Sequence, residues 1–270
     1  MNNTLIYDPN NFNRLSHFKA FDDSTRKFAA QKTKNVRSVL GEKHLAILRD
    51  PTNGTLCSKD GRRSDPNLPL AQAISSDYAI SELMYVRLRQ IAATEQYSGL
   101  VTAAETGLSS YTLANKIRLL TRAGIICKST EYPSGYYIRL VPEARDFLNK
   151  GFAQIYLSDY VKTNLRPEEI YYDVTLTEDR NPSERYKVDL IYKKDNRVSF
   201  AVIALNRKLT SMPAQIDKLV RISNRLRSSL TIVVSPSVDR MALQELLRSR
   251  LNYDVKIPDI VPYTRLMYLR

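Results

Sequence analysis

The stretch TGLSSYTLANKIRLLTRAGII, residues 106–126, decides the fold of the middle of this chain. Gly107 suits the left-handed residue that ends a helix, and Ser109 or Ser110 can cap the helix that follows. One face of that second helix is apolar, with Leu113, Ile117 and Leu120 at helical spacing. The opposite face carries Tyr111, Thr112, Asn115, Lys116, Arg118 and Arg122. Two helices joined by a tight turn, the second with a polar face exposed, predict a helix–turn–helix.

The flanking segments fit around this motif. Apolar residues recur at three- and four-residue spacing from Ser75 to Ala92, which predicts an amphipathic helix. Residues 100–106 predict a short helix before the turn. After Gly124 the sequence predicts, in order, a strand at 125–129, a turn at 132–135, a strand at 136–140 and a helix opened by Pro142. The two strands form a β-hairpin that follows the second helix.

The stretch from residue 78 to residue 160 resembles the winged-helix family of DNA-binding domains. The resemblance implies that the polar face of the second helix meets the major groove through Ser110, Tyr111, Thr112, Asn115, Lys116 and Arg118. It also implies that Lys128, Tyr136 and Arg139 approach phosphates from the hairpin. Winged helices also serve as protein-docking modules, in which the same polar face stays solvated or meets another chain.

A second domain begins after Arg166-Pro167. Its pattern predicts strands at 170–176, 186–192 and 198–205, a helix at 212–227, a strand at 230–234 and a helix at 240–251. The order is βββαβα. Because the strand after the crossover helix is nearly all apolar, it is typical of a buried parallel strand, and the expected fold is α/β with a mixed sheet covered on both faces.

This order resembles the PD-(D/E)xK nuclease superfamily, and in particular the winged-helix plus nuclease-like proteins of mobile elements: the replication-relaxation family and the MOBC class of plasmid relaxases. In an active member, an Asp and a Glu-x-Lys on adjacent strands bind a divalent metal such as Mg²⁺. Asp189 matches the first position and is the implied metal ligand. The second position falls within Val202–Asn206, which holds no carboxylate.

Two interpretations of Asp189 stay open. Glu168, Glu169 or Asp173 can supply the missing oxygen, with Lys208 in place of the lysine; the catalytic set is then Asp189, Glu169 and Lys208, with Mg²⁺ as cofactor. Otherwise Asp189 is a surface carboxylate paired with Lys187 or Arg207, and no cofactor is required.

The C-terminal domain also offers basic residues for DNA. On the helix that begins at Met212, Lys218, Arg221 and Arg225 lie at i, i+3 and i+7, a row that can follow a DNA backbone or form a solvated face. Arg207 and Lys208 form a basic turn that can contact phosphate.

Composition supports an anionic partner. The 270 residues contain 41 Lys and Arg against 28 Asp and Glu, a formal net charge of +13. The charge is +5 for residues 1–75, +2 for 76–165 and +6 for 166–270. A positive field of this size speeds encounter with polyanions such as nucleic acid. With two cysteines and two histidines, neither a disulfide framework nor a histidine or cysteine zinc site is expected.

The expected domains are a basic arm and linker at 1–74, a winged helix–turn–helix at 75–164 and a nuclease-like α/β domain at 165–270. Within the arm, residues 21–48 can form a helix after Asp22 or Asp23, and residues 50–69 have a linker composition. No stretch reaches the roughly 18 to 20 apolar residues of a membrane span, and the N-terminus lacks the order of a signal peptide. A cytoplasmic protein is therefore expected.

The sequence favours a double-stranded DNA-binding protein of a plasmid or other mobile element, accessory to mobilisation, replication or transposition. Because the second carboxylate is missing, binding is favoured over metal-dependent cleavage. Two alternatives remain: a DNA-nicking endonuclease or relaxase, and a protein-docking scaffold in a transfer or replication complex. Other proteins of such a complex, or a second copy of the chain, are further candidate partners.

Replacing Asn115 and Lys116 together by alanine is expected to weaken specific duplex binding, because both side chains lie on the predicted base-reading half of the helix. An anisotropy titration measures the affinity, and circular dichroism checks that the fold is intact. An affinity equal to that of the wild type would contradict the assignment.

Overall fold

A computed structural model describes residues 34–42, 45–49, 67–178, 181–195, 197–205, 213–251 and 255–268. In chain order the elements are α1 (Lys34–Gly41), β1 (Leu45–Arg49), α2 (Leu68–Ser76), α3 (Tyr78–Ala92), β2 (Ser98–Thr102), α4 (Ala103–Thr106), α5 (Ser110–Arg122), β3 (Ile126–Tyr132), β4 (Gly135–Leu140), α6 (Ala144–Asp146), α7 (Phe152–Tyr160), β5 (Glu169–Glu178), β6 (Asn181–Lys194), β7 (Arg197–Ala204), α8 (Pro213–Arg225), β8 (Ser229–Val234), α9 (Arg240–Arg250) and β9 (Asp259–Pro262). Single π-helical turns precede and follow α7, and a 3₁₀ segment follows β9.

These residues form two compact units. The helix–turn–helix unit comprises residues 80–151. The sheet unit comprises residues 34–79 together with 152–268. The chain combines helices with a mixed parallel and antiparallel sheet, so the predicted α/β class is confirmed. Within the described residues, no helix is long and apolar enough to cross a membrane.

The sheet unit is built on six strands in the order β1-β5-β6-β7-β8-β9. The strands from β1 to β7 pair antiparallel, while β7, β8 and β9 pair parallel. The predicted order βββαβα corresponds to β5, β6, β7, α8, β8 and α9. Residues 230–234 are all buried, because β8 is an interior strand covered on both faces.

The N-terminal segment differs from the expected arm and linker. Residues 34–41 form α1 and residues 45–49 form β1, and β1 pairs with β5 at an edge of the sheet. Val36 and Leu40, four residues apart on α1, are fully buried in the same core as Leu45. Helix α2 lies in the predicted linker region and packs against α7. The predicted caps Asp22 and Asp23 and most of the loop at 50–69 lie outside the described residues.

Aromatic rings fill a second part of the sheet unit. The ring of Tyr263 makes edge contacts with Tyr78 and Phe152, at centroid distances of 5.4 and 6.0 Å, and with Tyr156 at 5.7 Å. Its hydroxyl hydrogen-bonds to Ser75 on α2. The buried tyrosine therefore keeps a polar partner within an apolar cluster.

The helix–turn–helix unit contains a three-stranded antiparallel sheet in the order β2-β4-β3. The predicted helix at 100–106 is wrong at its start, because residues 98–102 form β2 and only 103–106 are helical. Strand β2 pairs along nearly the whole of β4, a non-local partner that the local pattern does not show. The predicted turn ends at Gly135, where a side chain would clash with the backbone carbonyl of Val101.

The position of α1 in the core gives a stability test. Leu40→Ala is expected to lower the free energy of unfolding by about 2–5 kcal/mol, the usual cost of emptying a buried leucine site. Urea denaturation measures the change. Ser38→Ala, on the exposed side of the same helix, is the matched control and is expected to have little effect. A neutral Leu40→Ala would mean that residues 34–41 are a detached arm after all.

Candidate nucleic-acid interface

Helix α5 begins with a well-defined cap. The backbone N–H of Thr112 donates a hydrogen bond of 3.1 Å to Ser109 Oγ, and the two hydroxyls lie 2.8 Å apart. Of the two predicted caps, Ser109 is therefore the one used. Gly107 precedes it with φ +68°, the left-handed conformation predicted for this residue. This turn fixes the start of α5 and leaves Ser110 and Tyr111 exposed.

The two faces of α5 follow the predicted pattern. Its apolar face is buried, with Leu113, Ile117 and Leu120 at 1%, 2% and 0% exposure. On the other face Asn115 and Arg118 are exposed, and Tyr111 is 77% exposed. Lys116 is half-buried, and burial lowers the pKa of its ammonium group below the ordinary value. Of the predicted contacts on α5, the exposed residues are thus Ser110, Tyr111, Asn115 and Arg118.

A groove of about 350 Å³ lies between α5 and the β3–β4 hairpin. Helix α5 contributes Ile117, Arg118, Thr121 and Arg122, and the hairpin contributes Ser129, Glu131 and Tyr136. Arg118 and Arg122 lie one helical turn apart, so both guanidinium groups border the same groove. Two of the predicted DNA contacts, Arg118 and Tyr136, are brought together here.

The hairpin wall of this groove carries a coupled pair of side chains. Glu131 and Tyr136 are cross-strand partners. Burial raises the pKa of the Tyr136 phenol above its ordinary value, and the hydrogen bond and negative charge of Glu131 add to the shift, while Arg118 opposes it. The Tyr136 hydroxyl is therefore the hydrogen-bond donor and the Glu131 carboxylate the acceptor.

A β-bulge in β3 separates the predicted hairpin contacts. Ile126 pairs with Leu140 and Lys128 pairs with Arg139, so Cys127 is the extra residue. A bulge reverses the alternation of side chains that would otherwise place Lys128 on the same face as Ile126. Lys128 and Arg139 consequently lie side by side on the sheet face opposite the groove. Of the three predicted hairpin contacts, Tyr136 therefore borders the groove, while Lys128 and Arg139 lie on the opposite face of the sheet.

The basic row on α8 is largely paired within the sheet unit. Lys218 Nζ lies 2.9 Å from Glu184 Oε1, and Arg225 Nη2 lies 3.1 Å from Glu178 Oε1. The hydrogen bonds from Tyr186 and Lys218 lower the pKa of Glu184. Arg221 is exposed between the two pairs. Arg207 and Lys208 lie outside the described residues.

Asp189 is a buried structural acceptor rather than the surface carboxylate of the second interpretation. It is 6% exposed, and its two oxygens accept hydrogen bonds from Gln154 Nε2 at 2.8 Å and from the Ile203 N–H at 2.7 Å. The pairing of β6 with β7 is regular from Lys194 back to Leu190. Beyond Leu190, the Asp189 side chain accepts the hydrogen bond of a backbone N–H of β7, that of Ile203.

Glu169 has a different structural partner. Its Oε2 accepts hydrogen bonds from the Val36 N–H at 3.1 Å and from the Tyr171 hydroxyl at 3.2 Å. Val36 lies in the first turn of α1, where backbone N–H groups have no partner within the helix and a negative charge is favourable. Glu169, on β5, therefore caps α1 from the neighbouring strand.

Asp189 and Glu169 are not placed to hold one Mg²⁺ ion between them. Glu169 pairs with Lys193, four residues along β6 from Asp189, which corresponds to about 13 Å at the usual strand rise. Both carboxylates already accept hydrogen bonds from the protein. In the described part of the chain, no group of three or more His, Cys, Asp or Glu side chains is placed to hold a metal ion.

The groove contains residues that the sequence did not single out. Arg122 lies on the predicted polar face but is not among the predicted DNA contacts, although its spacing from Arg118 is a usable signal. Glu131 and Ser129 carry no such signal, because the extra residue at Cys127 decides which face they occupy.

Comparison with solved structures shows the fold. The chain is similar to Can2 from Sulfobacillus thermosulfidooxidans, solved in complex with cyclic tetra-adenylate, at 15% identity over 87% of this chain, with a TM-score of 0.57. It is also similar to protein VC1899 from Vibrio cholerae, at 13% identity over 86% of this chain, with a TM-score of 0.55. The match spans 58% of each of those longer chains. No model of a protein family matches the sequence, and neither does any curated protein.

The structural role of Asp189 can be tested. Asp189→Ala removes the acceptor of the buried Ile203 N–H and of the half-buried Gln154 amide, and is expected to lower the free energy of unfolding by about 1–3 kcal/mol, the cost of leaving the buried N–H unpaired. Urea denaturation with and without Mg²⁺ measures this. If Asp189 were instead a metal ligand, Mg²⁺ would stabilise the wild type but not the variant.

Proposed function

We propose that this chain recognises double-stranded DNA through its helix–turn–helix unit, with α5 in the major groove, as an accessory factor in the mobilisation, replication or transposition of a mobile element. The observation that carries the proposal is the groove between α5 and the hairpin. It is bordered by Arg118 and Arg122, directly beside the exposed N-terminal half of α5.

The arrangement suits a protein that contacts both the base edges and the phosphates of double-stranded DNA. Asn115 is exposed and its amide can form paired hydrogen bonds with adenine in the major groove. Ser110 and Tyr111 lie at the same end of the helix, while the Thr112 hydroxyl is engaged by Ser109. Arg118 and Arg122 follow on the next turns, where guanidinium groups bind phosphates or guanine edges.

The net charge of the chain also favours double-stranded DNA as the partner. The segment 76–165 carries a net charge of only +2, whereas the whole chain carries +13. Attraction to phosphate therefore comes in large part from outside the helix–turn–helix unit. Arg221 is one contributor from the sheet unit, since Lys218 and Arg225 are paired with carboxylates.

Binding is favoured over cleavage because the two candidate catalytic carboxylates have structural partners. Asp189 joins β6 to β7 and to Gln154, and Glu169 caps α1. The proposal is therefore a nuclease-like sheet retained for its architecture, with recognition carried by the other unit. The winged-helix resemblance of residues 78–160 supports the duplex as ligand.

The groove arginines provide the test. Arg118→Ala with Arg122→Ala is expected to weaken binding to a labelled duplex. The slope of log affinity against log salt should also fall by about 0.9 for each phosphate that the variant no longer neutralises. Anisotropy at several salt concentrations measures both. Arg240→Ala with Arg248→Ala, two arginines of α9, is the matched control with the same change in net charge.

Three outcomes would contradict the proposal. Equal losses of affinity in the groove and control variants would mean that total charge matters and the groove does not. Nicking of supercoiled plasmid with Mg²⁺ or Mn²⁺ would make the chain an enzyme. A preference for cyclic tetra-adenylate over duplex in the same titration would make a small nucleotide the ligand.

A further inference from the structure

The sheet of the helix–turn–helix unit has a second face, which we call the outer face. It is turned away from the groove and is formed by alternate residues of β2, β4 and β3. Its members include Leu100, Lys128, Thr130, Tyr132, Tyr137 and Arg139. Leu100 pairs with Tyr137, and Tyr137 pairs with Thr130, so these three side chains form one row across the sheet.

The next row brings two positive charges together. Lys128 is the direct cross-strand partner of Arg139, and both are exposed. Like charges directly opposite one another on a sheet destabilise it. The three strands contain a single carboxylate, Glu131, and it lies on the groove side with Tyr136. The two charged side chains that these strands place on the outer face, Lys128 and Arg139, are therefore both positive.

Aromatic side chains lie next to these charges. Tyr137 is 44% exposed and Tyr132 is 51% exposed. Tyr137 is held in place because its hydroxyl donates a hydrogen bond of 3.0 Å to Ser98 Oγ. It is the diagonal neighbour of Lys128, at a typical separation of about 7–8 Å between such positions. The outer face thus combines exposed tyrosine rings, one of them held by a hydrogen bond, with adjacent cations.

We propose that the outer face binds single-stranded nucleic acid, with unpaired bases stacked on Tyr137 and Tyr132 and phosphates held by Lys128 and Arg139. Proteins that bind single strands combine the same two elements, aromatic platforms and a positive surface that follows the backbone. A duplex suits this face poorly, because its bases are stacked with one another and cannot reach the rings.

This site is separate from the proposed duplex surface. It uses none of the residues of α5 or of the groove, and it lies on the opposite side of the same sheet. A protein with both surfaces can hold a duplex and an adjacent unpaired strand, the substrate that strand opening produces. The inference therefore goes beyond duplex recognition and can stand without it.

The experiment titrates the whole chain into a labelled 15-nucleotide oligo-dT and, in parallel, into a labelled duplex. Tyr137→Ala is expected to raise the Kd for oligo-dT at least about fivefold, the lower end for removing one base–ring stack. Tyr137→Phe keeps the ring but loses the hydrogen bond to Ser98, and is expected to lose less affinity than Tyr137→Ala. Lys128→Ala with Arg139→Ala is expected to reduce the salt slope by about 0.7 per phosphate contact. Met241→Ala, which removes an exposed large side chain of α9 in the sheet unit, is the control and should leave oligo-dT binding unchanged.

The outcomes separate the alternatives. Unchanged oligo-dT affinity in Tyr137→Ala and in Tyr132→Ala, with thermal melts like that of the wild type, would overturn the proposal. So would competition by poly-glutamate that matches competition by oligo-dT, since an acidic peptide would then be the partner. If Tyr137→Ala melts early, Tyr132→Ala at the end of β3 serves as the test. If the wild type does not bind the duplex but binds oligo-dT through Tyr137, the proposed duplex recognition is wrong and this inference stands.

Discussion

The helix–turn–helix unit depends on one extra residue in β3. Because Cys127 is bulged, Ile126 reaches the core while Lys128 lies on the outer face beside Arg139. The same shift places Ser129 and Glu131 on the wall of the groove that Arg118 and Arg122 border. A strand without the bulge would reverse every side chain beyond it. One bulged residue therefore determines which side chains of β3 lie on each face of the sheet.

The sheet unit uses buried carboxylates in a comparable way. Asp189 accepts the N–H of Ile203 where regular pairing between β6 and β7 ends, and Glu169 caps α1. Each satisfies a backbone donor that would otherwise be buried without a partner, at a cost of about 1–3 kcal/mol. Residues that resemble a metal site in sequence thus have structural roles, and the edge of the sheet near α1 depends on one of them.

The sequence predicted elements whose signals are local. Helix α5 has its cap at Ser109, its left-handed glycine before it and its apolar stripe, and the structure reproduces all three. The apolar run of β8 likewise predicted an interior parallel strand. Strands β1 and β2 were not predicted, because each is short and pairs with a strand far along the chain. The structural role of Asp189 was not predicted either, because its partner Gln154 lies 35 residues away in the sequence.

By itself, the sequence determined the α/β class, the helix–turn–helix and the polar face of α5, because periodicity and capping act within a few residues. Tertiary structure alone decided which side chains share a surface. Arg118 and Tyr136 meet in the groove, while Lys128 and Arg139 face the other way because of the bulge. Lys218 and Arg225 are paired with carboxylates of β6 and β5, respectively. These outcomes depend on strand register and on contacts between distant segments, which no local pattern encodes.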